Sequence, residues 1–128
     1  MSLSSAAPLR ARLRALVAIL MLFAATPAWP HAVVVESDPA PKAALRAAPE
    51  RVVLRFNVRI EQALSRATLK RGKAEPVALT PLDTGPAQTD RLVIPLPKLA
   101  AGDYELRYHV LATDGHTTQG VLRFTVLP

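Results

Sequence analysis

Two histidines and one aspartate are the residues of this chain best suited to hold a metal ion. His31 directly follows a leader-like segment, and Asp114 and His116 flank Gly115 shortly before the last predicted strand. If cleavage makes His31 a new N-terminus, that residue offers two nitrogen ligands, its amine and its imidazole. A second imidazole and a carboxylate complete a square-planar set of N and O ligands. Such a set suits Cu(II) better than the other common biological metals.

Residues 1–30 have the composition of a secretory signal peptide. Arg10, Arg12 and Arg14 precede an uncharged apolar run over residues 15–25, which small residues close. Signal peptides have apolar cores of roughly 7–15 residues, whereas a membrane-spanning helix needs about 20. We therefore expect export across a membrane and removal of residues 1–30. An uncleaved membrane anchor is the alternative.

The cleavage position decides whether the His31 amine is free. The preference for small residues favours cleavage after Ala28, which would leave Trp29 and Pro30 ahead of His31. Cleavage after Pro30 would expose the His31 amine, although proline beside the scissile bond is unfavourable. The sequence leaves both positions open.

Residues 31–128 are enough for one small domain, and their composition narrows the function. They carry 13 Lys and Arg against 10 Asp and Glu, a net charge of +3 with the basic residues scattered, which argues against nucleic-acid binding. The chain has no cysteine, so disulfides and thiolate metal sites are excluded. Both methionines, Met1 and Met21, lie in the leader, so we expect no thioether site for Cu(I). Nothing indicates an obligate oligomer, and we expect a monomer.

The spacing of short apolar segments predicts an all-β domain. Turn residues separate these segments, and Pro95 within one of them indicates an edge strand or a bulge. Residues 42–48 and 62–64 are short candidates for helical turns. Seven strands of this length are typical of an antiparallel sandwich or barrel. The predicted strands are residues 32–36, 52–56, 67–70, 76–79, 92–96, 104–110 and 120–127.

The segment over residues 104–110 has the clearest strand pattern, because apolar and polar residues alternate strictly. One face is predicted to lie in the core and the other in solvent. The core face comprises Tyr104, Leu106, Tyr108 and Val110, and the solvent face comprises Glu105, Arg107 and His109. The strand leads into a turn in which Gly115 permits an unusual backbone angle between Asp114 and His116.

Several short motifs follow one another along residues 31–128. They are His31-Ala32, Ser37-x-Pro39-Ala40, Ala48-Pro49 followed by Val52-Val53-Leu54-Arg55-Phe56, Leu99-x-x-Gly102-x-Tyr104, and Asp114-Gly115-His116-x-x-x-Gly120-x-x-x-Phe124-Thr125-Val126. No single motif is specific. Their ordered combination resembles the CopC-like family of periplasmic copper-resistance proteins.

The resemblance implies a Greek-key β-sandwich or barrel, Ig-like or cupredoxin-like, that binds Cu(II) in the periplasm. It assigns the ligands to His31, by amine and ring, and to Asp114 and His116. The implied partner is a CopD-type membrane copper transporter. Some members carry a Met-rich loop that this chain lacks, so a single Cu(II) site is expected. Some members also place a carboxylate where this chain has Val58.

Two residues and two other functions stay open at this stage. Glu61, the nearest acid to Val58, and His109 are weaker candidates for assisting the site. The first other function is a metal-free, Ig-like periplasmic docking module. The second is a copper oxygenase with a histidine brace, although the chain lacks the aromatic surface that docks on glycans. No nucleophile motif is present, so we expect a binding protein rather than an enzyme.

Overall fold

The computed structural model describes residues 8–23 and 31–128, and β-strands dominate the second range. One helix, α1, covers Leu9–Phe23, and two single-turn 3-10 helices cover Gln62–Leu64 and Pro86–Gln88. Eight strands lie within the described residues. They are β1 Val34–Asp38, β2 Ala43–Leu45, β3 Arg51–Phe56, β4 Arg66–Arg71, β5 Val77–Leu79, β6 Arg91–Pro95, β7 Gly102–Leu111 and β8 Thr117–Val126.

The strands form two sheets that share one apolar core. The smaller sheet has the order β1-β3-β6, and the larger has the order β2-β8-β7-β4-β5. All neighbouring strands are antiparallel except β2 and β8. Leu54 and Phe56 of the smaller sheet belong to the same buried cluster as Leu106 and Phe124 of the larger sheet. The predicted all-β sandwich is confirmed.

The prediction of a helical turn over residues 42–48 is wrong, because this segment contains β2. Strand β2 adds to the edge of β8, with Ala43 opposite Phe124 and Leu45 opposite Val126. The Lys42 N–H donates to the Arg123 carbonyl, and the Leu127 N–H donates to the Leu45 carbonyl. An open sheet edge offers unpaired backbone groups. Pairing with this edge outweighs the weak local preference for a turn and gives an eighth strand.

Two other local predictions are confirmed. Residues 62–64 form a helical turn, and β6, which contains Pro95, lies at the edge of its sheet. Proline has no N–H to contribute to a ladder, so an edge position is where a strand tolerates it best.

Strands β7 and β8 form a long hairpin whose far end carries the candidate site. Their ladder runs without interruption from the pair Gly102 and Val126 to the pair Leu111 and Thr117. The predicted core face of β7 is confirmed, with Tyr108 half-buried against the core. Continuous pairing over ten residues per strand gives the loop at residues 112–116 a rigid base.

Helix α1 precedes the β-strands and is 15 residues long. Within residues 8–23 and 31–128, no helix is both long and apolar enough to cross a membrane. Residues 1–7 and 24–30 lie outside the described part of the chain. The two candidate cleavage positions, after Ala28 and after Pro30, therefore fall outside it as well.

Gly120 gives the Tyr108 side chain its place across the β7–β8 ladder. Gly120 and Tyr108 are cross-strand partners, and a Cβ at position 120 would overlap the Tyr108 ring and hydroxyl. The same ring packs edge-to-face on Phe56, with centroids 5.9 Å apart. We predict that Gly120→Ala lowers the free energy of unfolding by about 1–3 kcal/mol, because the ring must move.

Urea denaturation of four proteins tests this prediction: wild type, Gly120→Ala, Tyr108→Ala and the double variant. Alanine at position 120 should cost much less when Tyr108 is already alanine. Equal costs in the two backgrounds would contradict the steric explanation.

Candidate metal centre

A tight loop at the end of the β7–β8 hairpin presents Asp114 and His116. The Gly115 N–H donates to the Ala112 carbonyl at 2.9 Å, and the Ala112 N–H donates to the His116 carbonyl at 2.8 Å. Gly115 has a φ of +92°, a value that glycine adopts more readily than other residues. This confirms its predicted role. Backbone bonds thus fix the loop before any ligand binds.

Asp114 is held in place by the backbone of the residue that it is predicted to assist. Its Oδ1 accepts a hydrogen bond from the His116 N–H at 3.0 Å and lies 3.3 Å from His116 Nδ1. The backbone N–H of His116 is the main reason that the pKa of Asp114 is lowered. Partial desolvation opposes this shift, and the His116 side chain adds to it. The carboxylate therefore stays negative to a lower pH than an ordinary aspartate does, which favours a cation beside it.

His31 is distant from this loop in sequence but lies beside it in the structure. The ring centroids of His31 and His116 are 6.2 Å apart, and the rings are nearly perpendicular at 87°. His31 is exposed, while the next residue, Ala32, is 2% exposed and anchors the segment in the core. The structure thus brings together the two histidines that the sequence predicts as ligands.

The spacing of the two imidazoles can be compared with that of a shared metal ion. Metal–imidazole bonds are about 2.0–2.1 Å long, so two imidazoles on one ion have centroids at most roughly 6 Å apart. The observed 6.2 Å between His31 and His116 is close to that limit. The donor set, two imidazoles and one carboxylate, has the N and O character that Cu(II) favours. The types of donor present fit the predicted metal.

The three side chains do not by themselves form a metal cage. Within residues 8–23 and 31–128, no group of three or more His, Asp or Glu side chains is spaced to hold a metal ion. In the full-length chain the His31 nitrogen is also part of the peptide bond to Pro30. An amine ligand at this position can arise only after cleavage between the two residues.

Glu61, His109 and Val58 have surroundings of their own. Glu61 is exposed, its N–H donates to the Leu111 carbonyl, and it lines a groove with Asp83 and Thr89. His109 is half-buried and lies between Arg66 and Gln119 on neighbouring strands. Val58 packs against the core. Each of the three residues thus has neighbours outside the loop at residues 112–116.

Sequence reasoning missed Asn57, which contacts the segment that carries His31. Its Oδ1 accepts the Val33 N–H at 2.8 Å, and its own N–H donates to the Val33 carbonyl at 3.0 Å. The only sequence signal is an asparagine directly after a predicted strand, and such a residue ordinarily indicates a turn.

Comparisons with known proteins agree with this fold. The family model described as the CopC domain matches residues 34–127. Protein YobA of Escherichia coli strain K12 is 34% identical over 116 residues, which are 89% of this chain and 94% of that protein.

Two solved structures have the same fold. CopC from Methylosinus trichosporium OB3b matches with a TM-score of 0.72 and 31% identity, over 77% of this chain and 95% of that chain. PcoC, a methionine-rich copper resistance protein from Escherichia coli, matches with a TM-score of 0.62 and 28% identity, over 76% of this chain and 99% of that chain.

The hydrogen bond to Asp114 predicts how the metal-free protein responds to acid. Because the pKa is lowered in the folded state, ionised Asp114 stabilises the fold above its ordinary value of 3.8. That contribution is lost as the pH falls through the lower native pKa. We predict that an NMR titration of the Asp114 carboxyl carbon shows a midpoint below 3.8.

His116→Ala serves as the control for this titration, since it keeps the backbone N–H and removes only the ring. Most of the lowering should survive in this variant. Return of the midpoint to the ordinary aspartate value would mean that the imidazole, not the backbone, is the main cause.

Proposed function

The chain belongs to the CopC domain family, and on that basis we propose that its mature form is a periplasmic Cu(II)-binding protein of copper resistance and homeostasis. One observation carries the proposal. The His31 and His116 rings lie 6.2 Å apart, beside a carboxylate that is 3.3 Å from His116 Nδ1. Two imidazole rings from distant segments of the chain thus lie close together, one of them beside a carboxylate.

We assign the ligands to the His31 imidazole, the His31 amine freed by cleavage, the His116 imidazole and the Asp114 carboxylate. Nitrogen and oxygen atoms would hold the bound Cu(II), and ligands of this kind bind Cu(II) more tightly than most other divalent ions. The carboxylate offsets part of the ion's charge. Protons compete for the imidazoles and the amine, so copper affinity should fall on acidification.

The composition supports a single Cu(II) site. PcoC is described as methionine-rich, whereas both methionines of this chain lie within residues 1–30. Thioether sulfur is the soft ligand that favours Cu(I). The mature domain therefore has no thioether with which to hold Cu(I), and we propose that copper binds only as Cu(II).

We further propose that residues 1–30 are a cleaved signal peptide and that residues 31–128 act as a monomer in the periplasm. The three arginines in the first half of α1 and the short apolar run that follows them support export. In the periplasm the protein would buffer copper or deliver it to a CopD-type membrane transporter. The exposed position of His31 suits such a transfer, because a partner can reach the ligand directly.

Binding accounts for the structure better than catalysis does. Of the four aromatic residues in 31–128, Phe56, Tyr104 and Phe124 are buried and Tyr108 is half-buried. They leave no flat aromatic surface within residues 31–128 on which an oxygenase could dock a glycan. A metal-free docking module is the second candidate, favoured by the absence of a three-side-chain cage among the described residues.

His116→Ala tests the proposal. We predict that this variant loses tight Cu(II) binding, because it removes an imidazole ligand. The thermal unfolding of the metal-free protein should stay nearly unchanged, since the side chain of His116 is 40% exposed. His109→Ala is the matched control, a half-buried histidine on the same hairpin that should bind Cu(II) like wild type.

Competition titrations of Cu(II) against a chelator of known affinity give the measurement. Equal affinities for His116→Ala and wild type would overturn the site assignment and favour the docking module. Peroxide formed by the reduced copper protein would instead favour the oxygenase.

A further inference from the structure

Asn57 completes a rung of the sheet at the point where β3 ends. The pairing of β1 with β3 stops at Val34 and Phe56. One residue further on, the Asn57 N–H donates to the Val33 carbonyl at 3.0 Å, as in an ordinary ladder. The return bond comes from the side chain, because the Val33 N–H donates to Asn57 Oδ1 at 2.8 Å. An antiparallel pair normally exchanges two backbone bonds, so the amide oxygen replaces a backbone carbonyl.

This rung lies two residues from His31. The segment 31–33 has few other restraints, since His31 is exposed, Val33 is 53% exposed, and Ala32 is the buried residue between them. The ends of strands fray when their backbone groups have no partner within the protein. The hydrogen bond to the Asn57 side chain therefore restrains the segment that carries His31.

We infer that Asn57 is a positioning residue that holds the His31 ring beside His116. Its importance for copper rests on the proposed function, whereas its effect on the metal-free structure does not. Asn57 acts through the Val33 N–H and is not itself a ligand. Loss of the bond would leave the proposed ligands unchanged but make the segment 31–33 more mobile. Copper binding would then have to order this segment at a greater cost in conformational entropy.

The first test uses the processed, metal-free protein and NMR. In Asn57→Ala, the Val33 amide should exchange with solvent faster than in wild type, and the nuclear Overhauser contacts between the His31 and His116 rings should weaken. Asn57→Asp keeps the acceptor oxygen and should restore protection of the Val33 amide.

Ser37→Ala is the matched control for these NMR measurements. It removes a hydrogen bond from a side chain to the backbone at the other end of β1, where Ser37 Oγ donates to the Pro39 carbonyl at 2.8 Å. This variant should leave the Val33 exchange rate and the ring contacts as they are in wild type.

The second test uses Cu(II) alone as the probe. Asn57→Ala should bind Cu(II) about 3- to 10-fold more weakly, the equivalent of one exposed hydrogen bond. Its EPR spectrum should match that of wild type, because the ligands are the same. Ser37→Ala should bind Cu(II) with wild-type affinity.

The possible outcomes separate this inference from the proposed function. Unchanged Val33 exchange and unchanged ring contacts in Asn57→Ala would overturn the positioning role, as would equal losses in Ser37→Ala. An altered EPR spectrum would mean that the substitution changes the copper coordination itself, and this would also overturn the positioning role. If wild type binds no Cu(II), the proposed function fails, and the NMR measurements still decide the role of Asn57.

Discussion

The packing of two sheets over one apolar core is the constraint on which the candidate site depends. His31 precedes β1 in the smaller sheet, and His116 precedes β8 in the larger sheet. Their rings can approach to 6.2 Å only because the core fixes how the sheets face each other. Since the chain has no cysteine, packing and hydrogen bonds alone maintain that arrangement. A change in the core would therefore alter the candidate site without changing any of its proposed ligands.

Those features of the candidate site that depend on residues close together in the sequence could be predicted. The alternation along β7 identifies its core face, and Asp114-Gly115-His116 marks a turn whose glycine has the expected positive φ. The type of the predicted ligands also follows from the residues, since residues 31–128 contain no cysteine or methionine and offer only nitrogen and oxygen. The pairing of His31 with this turn was predicted from the residue types, and resemblance to a known family supported it.

The rest depends on contacts between distant segments. Strand β2 forms because β8 offers an open edge, and no sequence pattern within residues 42–48 indicates this pairing. Asn57 is similar, because its bond to Val33 joins residues 24 positions apart and its sequence signal indicates only a turn. The approach of His31 to His116 also requires the register of both sheets. Such pairings are properties of the folded chain rather than of any window of sequence.

An EPR-monitored Cu(II) titration of the protein that begins at His31 tests whether His31, Asp114 and His116 hold copper together. The protein that begins at Trp29 is the comparison, since its His31 nitrogen is an amide. We predict a tetragonal spectrum with nitrogen hyperfine structure that saturates at one equivalent for the first protein, and weaker binding for the second. A weak signal that does not saturate in the protein beginning at His31 would contradict this prediction.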